Sequence, residues 1–593
     1  MEAGIKSRPL LLILGLVLLL RLPFHNQAIQ GDDPVYLAEA SHALVEPLHP
    51  DHTDYVFRGR TVDLRGLTHP PMDGWMLGGL LALFGSVKEI PFHAAYLSFS
   101  LVAAAAMWSL ARRFAANPFW ATLLFLAVPA FVVNGSSLET DVPFLAFWMA
   151  AIALFCANRL ALAGLAMVLA SLTAYQAIVL VPILAVYCWL YRRRSPASWL
   201  TILIPGVTIA GWLILERLST GTSPAAVVSG YFTIYQTMQA KLVNALALSV
   251  HFWFLIFPAL VPGAFWLAWR TRRDPRTQFL LAWIAIFFAA ALVIFFAGSA
   301  RYLLPLAAPL AMLASGLRPR WLAIGFGLQM ALSLGLAVMN YQHWDAYRVY
   351  AASLRPVMEN HRVWVDDEWG LRHYLQDAGA LPLRATQKLR ADDIIVSSQL
   401  SHAVDVTARL APAAPTLEIR PAIPLRLIGL DTHSGYSSAA ADHLWPFGLS
   451  AGLIDRVPTS RVVERHPTLE YVDMKAPGVS DSIVSGIWPD DQWMSASAVV
   501  LLKSPAAATP LQVSFYIPDN APARHITLLL DGVQVAATTV AAPGPGQLIS
   551  PAPLEPTGPS AMVEIRVDKT FHAPPDARDL GMVLVGVGFL PKP

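Results

Sequence analysis

Apolar residues crowd one part of this chain. From residue 9 to about residue 339 the sequence is a succession of apolar runs, and beyond that it turns Pro-rich, polar and strand-like. Runs of about 17 to 25 apolar residues are long enough to cross a bilayer as helices. They fall at 8–24, 91–111, 118–134, 142–157, 160–173, 174–191, 197–217, 246–269, 277–297, 302–317 and 321–339, about eleven in all. Composition agrees: 55% of the 593 residues are hydrophobic and 14% charged, where a soluble domain is nearer a quarter charged. The mean hydropathy of +0.50 points to a polytopic membrane protein.

The expected architecture is therefore a polytopic α-helical membrane unit, residues 1–340, followed by an α/β unit, 341–485, and a C-terminal β-sandwich of jelly-roll type, 486–593. Residues 361–380 read as strand then helix, and 392–398 as a second strand. Residues 511–518 alternate, and 525–540 read as a hairpin in which Asp531-Gly532 forms a turn that wants positive φ. Several such short strands at regular spacing suggest the sandwich.

Lys6 and Arg8 ahead of the first run resemble the head of a signal peptide, but no small-x-small cleavage site follows, so the run reads as an uncleaved first span. With the N-terminus inside, Arg112 and Arg113, Arg159, Arg192 to Arg194, Arg270 to Arg276 and Arg318 and Arg320 all fall in inner loops. That asymmetry is the positive-inside pattern. The short outer connections hold only Arg217, Lys241 and Arg301. An odd number of crossings then places the C-terminal half outside, in the periplasm if the membrane is a bacterial inner membrane. Residues 72–86 are apolar but short and carry Asp73, so they read as a re-entrant or interfacial helix inside a long first outer loop, 25–90. Residues 34–45 of that loop read as a helix along the surface.

Net charge is +2, which gives no reason to expect a nucleic-acid partner. The two cysteines, Cys156 and Cys188, lie in apolar runs and read as small buried hydrophobes.

The chemistry is expected at the outer face. Asp32 and Asp33 precede Pro34 and Tyr36 at the mouth of the first outer loop. An acid before proline can cap a helix. It can also serve as a general base toward an acceptor hydroxyl or hold a metal, its neighbour raising its pKa. His69-Pro70-Pro71 heads the re-entrant segment, with Trp75, Phe84 and Gly85 downstream. His69 either bonds the helix start or contacts a phosphate or a substrate hydroxyl. Glu139 and Asp141 in the second outer loop face the same aqueous side, with capping as the alternative for Asp141. Arg301-Tyr302 opens a late span, and an Arg fork at headgroup depth suits a lipid-linked phosphate, or snorkels to lipid headgroups. In the loop 46–66, His49, Asp51, His52 and Asp54 are spaced as candidate metal ligands, or form a polar acceptor-binding loop.

Together these pieces resemble the GT-C glycosyltransferases, in the branch of dolichyl-phosphate-mannose protein mannosyltransferases and bacterial lipid A aminoarabinose transferases. The similarity rests on Asp32-Asp33 with Tyr36, on His69-Pro70-Pro71 with Trp75 and Phe84-Gly85, on Thr140-Asp141-x-Pro143, and on Arg301 to Pro305. It covers residues 8–350, and residues 576–589 resemble the β-domain tail of some relatives. Three departures stand out: Asp33 where the family usually has Glu, Thr173-Ala174-Tyr175-Gln176 where a Lys often follows Thr, and a loop 46–66 unlike the aminoarabinose branch.

The resemblance implies an inverting transfer from a polyprenyl-phosphate sugar to a hydroxyl of a glycan, lipid or protein, at the periplasmic face. It implies Asp32 as general base with Asp33 beside it, Arg301, His69 and Tyr302 at the donor phosphate, and Tyr36, Glu139, Asp141 and Trp75 at the substrate. No cofactor is required; a divalent metal is an option, with Asp32, Asp33, His49 and His52 as candidates. The rival readings are a transporter or flippase of lipid-linked sugars, a membrane-anchored glycan binder without catalysis, and a glycan polymerase or ligase.

Overall fold

The structure, a computed structural model, describes residues 2–590 apart from 67–68, 222–223, 225–236, 296, 386, 402–403, 405, 407, 436–443, 464, 466, 477–478, 489, 520, 557 and 574–575, and the side chains of 2–8, 414 and 577. The side chains of Lys6 and Arg8, the first two residues of the segment leading to His69, and residue 296 in the 277–297 run lie outside the described residues.

Among the described residues four helices are long and apolar enough to cross a membrane: Glu89–Phe114, Pro196–Thr220, Pro275–Ile294 and Pro319–Asn360. Six shorter apolar helices accompany them, including Met72–Phe84, Asp141–Cys156 and Leu160–Thr173. Prolines interrupt several of the expected runs. The 118–134 run is two helices, Pro118–Leu126 and Pro129–Asn134, because Pro129 cannot donate into a continuous ladder. The 246–269 run divides into Met238–Trp253 and Leu260–Arg270 around Pro258. The bundle core is aromatic: Trp148, Phe155, Tyr187, Phe279 and Trp283 are all fully buried. Trp148 meets Phe287 edge-on, with centroids 5.3 Å apart. Cys156 and Cys188 are buried and free.

Helix Asp141–Cys156 gives the bundle two chemically different ends. At its C-terminal end the Cys156 carbonyl accepts from Arg113 at 2.6 Å and Arg192 at 3.1 Å, two of the residues in the Arg-rich loops. Cations there also suit the helix dipole. Sixteen residues of helix, about 24 Å, separate this end from Asp141.

The loop 25–90 folds into helix Asp33–Ala43, a hairpin of β1 (Asp54–Phe57) and β2 (Arg60–Asp63), and helix Met72–Phe84. Its two helices pack through glycine: a Cβ on Gly78 would stand 3.1 Å from the Ala40 carbonyl oxygen.

Helix Pro319–Ser353 is 35 residues long, about 52 Å, and runs straight through residue 340. Its apolar first half belongs to the bundle. Its second half carries Trp344, Tyr347 and Tyr350 into the core of a mixed sheet. That sheet consists of β3 (Val363–Asp366), β4 (Leu381–Pro382), β5 (Ile394–Ser397), β6 (Leu410–Ile419) and β7 (Asp455–Val462), ordered β4-β3-β5-β7-β6. β3 is parallel to β4 and β5, with helix Gly370–Asp377 as the crossover from β3 to β4, while β7 is antiparallel to its neighbours.

The remaining strands are β8 (Tyr471–Asp473), β9 (Ile483–Ile487), β10 (Met494–Lys503), β11 (Leu511–Ile517), β12 (Arg524–Leu530), β13 (Val533–Val540), β14 (Gly544–Ile549), β15 (Ser560–Val567), β16 (Phe571–Ala573), β17 (Asp576–Leu580) and β18 (Val583–Phe589). Sheets β13-β12-β15-β10-β9 and β14-β11-β18-β8 enclose one core that includes Val472, Val513, Phe515, Leu528, Ile565 and Leu584. The sandwich starts before residue 486: β8 lies wholly upstream of it and β9 straddles it. The expected hairpin is β12–β13, and Asp531 and Gly532 turn it with φ of 49° and 84°.

The C-terminal half docks on the loop 25–90. Tyr374 Oη accepts from the Ile29 backbone N–H at 2.8 Å. Arg372 donates to the Val56 carbonyl and lies 4.0 Å over the Tyr55 ring. The Arg58 N–H donates to Glu368 at 2.5 Å, and the Ala385 N–H to the Gly59 carbonyl at 2.9 Å.

Candidate functional site

Position 31 begins the site. Gly31 turns with φ of 46°, which an L side chain rarely adopts, and this aims the Asp32 N–H at Glu139 Oε1, 3.2 Å away. The two adjacent aspartates then diverge. Asp33 is fully buried and accepts from the Gln30 N–H at 3.0 Å, Ser137 Oγ at 2.9 Å and the Leu138 N–H at 2.8 Å. Burial pushes its carboxyl up to about 7, against the pull of those three donors. It holds the first outer loop to the second. Asp32 occupies the N-cap position of helix Asp33–Ala43 but makes no capping bond with its side chain. Its carboxylate is 42% exposed and turns to Arg301.

Arg301, 9% exposed, is the centre of an ionic cluster. Its Nη2 donates to Asp32 Oδ2 at 3.1 Å, across 269 positions of sequence. Its Nη1 pairs with Glu139 and lies 3.6 Å from Asp141 Oδ2. The Tyr302 ring lies under the guanidinium at 5.2 Å, with its hydroxyl 3.5 Å from Nη2. Asp141 starts its helix, but Thr140 is the N-cap and makes no capping bond with its side chain. Three carboxylates thus surround one permanent cation.

His69 approaches from the third side. Its Nδ1 lies 3.4 Å from Thr140 Oγ1, and its ring stands 5.9 Å from that of Tyr36. Burial, with the Arg301 charge adding, pushes its imidazole down to about 4, so it is neutral near pH 7 and brings a hydrogen-bonding group without charge. Tyr36 is buried beside Thr140. A pocket opens next to Arg301, lined by Val128, Pro129, Val133, His251, Leu255 and Phe447. Its walls come from the apolar helices and from the C-terminal half, and they are mostly apolar.

The structure thus gathers Asp32, Tyr36, His69, Glu139, Asp141, Arg301 and Tyr302 around one point. It places Trp75, His49 and His52 elsewhere. Trp75 donates to the Pro47 carbonyl at 2.7 Å and meets Trp212 edge-on. His49 and His52 bond Glu216. The four metal candidates of the sequence therefore do not form one set. Among the described residues the group with metal-binding spacing is His49, His52 and Glu216, without Asp32 or Asp33, because Asp33 is turned inward to Ser137 and Asp32 to Arg301.

Four participants were not anticipated. Gln30 donates to the Ser136 carbonyl at 2.8 Å and accepts from Asn340, so it fastens the acidic turn to the long helix. Ser137 holds Asp33. His251, 1% exposed, lines the pocket. Glu216 is fully buried near the end of the 197–217 run, directly before Arg217.

Comparison with known proteins gives one family match. Residues 68–215 match the model of the dolichyl-phosphate-mannose-protein mannosyltransferase family. That stretch contains His69, Trp75, Glu139 and Asp141, and the resemblance read from the motifs is found there independently. No curated protein sequence matches the chain. Among solved structures, ArnT from Cupriavidus metallidurans bound to undecaprenyl phosphate is 16% identical with a TM-score of 0.44, over 66% of this chain and 93% of that one. The apo form of the same protein is 14% identical with a TM-score of 0.45, over 67% and 94%. The arabinosyltransferase EmbB from Mycobacterium smegmatis is 14% identical with a TM-score of 0.34, over 96% of this chain and 64% of that one.

Proposed function

We propose that the chain is a membrane glycosyltransferase of GT-C type that moves a sugar from a polyprenyl-phosphate donor to a hydroxyl acceptor at the outer face of the membrane. The observation that carries this reading is the contact between Asp32 and Arg301 beside an apolar pocket. A lipid-linked donor needs three things at one place: an apolar wall for its chain, a fixed cation for its phosphate, and a base aimed at the acceptor. The pocket, Arg301 and Asp32 supply them in that order. The match of residues 68–215 to the mannosyltransferase family supports the same chemistry.

In the reaction the acceptor oxygen attacks the anomeric carbon. The bond from that carbon to the phosphate oxygen breaks, and the hydroxyl proton passes to Asp32. Polyprenyl phosphate leaves as a phosphate monoester, its charge met by Arg301 with neutral His69 and Tyr302 alongside. Displacement in one step inverts the anomeric centre. Arg301 is held by Asp32, Glu139 and Asp141. An arriving phosphate competes for the guanidinium and frees the Asp32 carboxylate, so the base is released only when a donor is in place. No step requires a metal.

The remaining assignments belong to the same proposal. The chain crosses a bacterial inner membrane about eleven times with its N-terminus inside. The acidic cluster and the Arg113–Arg192 end of helix Asp141–Cys156 lie about 24 Å apart, which supports opposite faces for them. The outer sheets, with a jelly-roll sandwich last, bind a glycan, lipid or protein acceptor.

The test is transfer by the purified full chain, offered a panel of polyprenyl-phosphate sugars. Asp32→Asn is expected to lower the rate by about 10²–10⁴-fold while the protein stays folded. Arg301→Ala is expected to lose transfer and weaken donor binding together. An Asp32→Asn variant that turns over like wild type removes the base and, with it, the mechanism.

A further inference from the structure

A second cluster occupies the loop after helix Asp33–Ala43. The rings of His49 and His52 stack, with centroids 4.6 Å apart and planes 27° apart. Both aim a nitrogen at one carboxylate: His49 Nδ1 is 2.7 Å from Glu216 Oε1, and His52 Nε2 is 2.8 Å from Glu216 Oε2. A turn with the His52 N–H on the His49 carbonyl, 3.1 Å, sets the two rings side by side. Glu216 is 0% exposed and sits near the end of the apolar helix Ile204–Thr220. The donor atoms of the three residues all lie within 4.8 Å of one another.

Asp51, between the two histidines, is 6% exposed, and its Oδ1 has no hydrogen-bond partner among the described residues. Its charge and that of Glu216 act on each other. Two neighbouring carboxylates withdrawn from water are costly unless a cation balances them. Arg65 acts on both, but its guanidinium is already forked onto Asp63 at 2.9 Å.

We propose that His49 Nδ1, His52 Nε2 and the Glu216 carboxylate hold a divalent transition metal of the zinc class, with the Asp51 carboxylate as a neighbouring countercharge. Two imidazoles with carboxylates are a zinc-type donor set, whereas calcium and magnesium take oxygen alone. A +2 ion neutralises Asp51 and Glu216 together and leaves the imidazoles uncharged. Three protein donors from two separate segments, with water completing a tetrahedral shell, make the ion a link between those segments, and it stands apart from the transferase reading. It rivets the loop 46–54 to a membrane helix. Trp75 reinforces the same junction, donating to Pro47 and packing on Trp212.

The test uses the full chain purified in detergent from zinc-supplemented cells and dialysed, with bound metal counted by mass spectrometry. About one zinc per chain is expected, kept by Asp32→Asn and lost from the double variant His49→Ala/His52→Ala. Chelation is expected to lower the Tm of the wild type and to leave that of the double variant unchanged. Cobalt(II) put in place of zinc is expected to give the visible bands of a tetrahedral site. If the double variant does not fold, the wild-type cobalt spectrum decides: tetrahedral bands support the site, and their absence overturns it. Wild-type protein that takes up neither zinc nor cobalt, or a folded double variant that keeps its zinc, also overturns it.

Discussion

A Cβ at position 31 would lie 2.6 Å from Glu139 Oε1, in a backbone conformation with φ of 46°. Gly31→Ala therefore strains the turn and pushes Glu139 away from the Asp32 N–H. A left-handed residue alone costs about 1–2 kcal/mol. The expected result is a lower Tm together with loss of transfer, read by thermal unfolding and by the donor panel. His69 sets a pH signature. Its imidazole, pushed down to about 4 when folded, lies near 6.5 in the unfolded chain. The unfolded state thus binds more protons between these values, and His69 makes stability rise with pH through that window and fall as pH drops through it. His69→Gln is expected to flatten this part of the Tm-against-pH curve and to leave it unchanged above about pH 7. The clustering of Asp32, Glu139, Asp141 and Arg301 was legible where charges stood at the margins of apolar runs. It was not legible for Glu216, because adjacent Arg217 and the following polar residues make it read as the soluble end of a helix. Only the three-dimensional return of the loop 46–54 shows it buried.

Glycine decides how close the helices of the first outer loop come. Gly78 sits under Ala40, and Gly74 places its hypothetical Cβ 3.4 Å from that of Glu39. Gly78→Leu is expected to force helix Met72–Phe84 away from helix Asp33–Ala43, lower the Tm, and reduce transfer through displacement of Asp32, with thermal unfolding and the transfer assay as the measurements. Overpacking of this kind costs about 1–3 kcal/mol. Both helices were readable from the sequence: 34–45 became Asp33–Ala43, and 72–86 became Met72–Phe84. The broken runs were harder, because hydropathy is blind to a missing N–H. Pro129 and Pro258 keep the apolar character of their runs while ending the helices.

Across the whole molecule, the helical and C-terminal halves meet at the turn that carries the acids. Gly370 lies where its Cβ would come 2.1 Å from the Ile29 carbonyl oxygen. Gly370→Val is expected to lever the sheet β4-β3-β5-β7-β6 off the first outer loop. Faster cleavage of the 46–66 loop by a protease, with a bundle that still extracts folded in detergent, would be the readout. The change of character near residue 340 was legible in composition, yet the chain makes no structural break there, because a helix continues wherever its face finds a new core. Helix Pro319–Ser353 exchanges bundle contacts for Trp344, Tyr347 and Tyr350 against the sheet without losing a turn.

That unbroken rod has a consequence for how such a molecule can be rebuilt or inherited. Severing it at residue 340 would strip Gln30 of the Asn340 amide and leave the aromatic girder without its sheet. The C-terminal half is thus not a detachable accessory. Any exchange of the C-terminal half must splice downstream of Ser353, or else carry the acidic turn along with the graft.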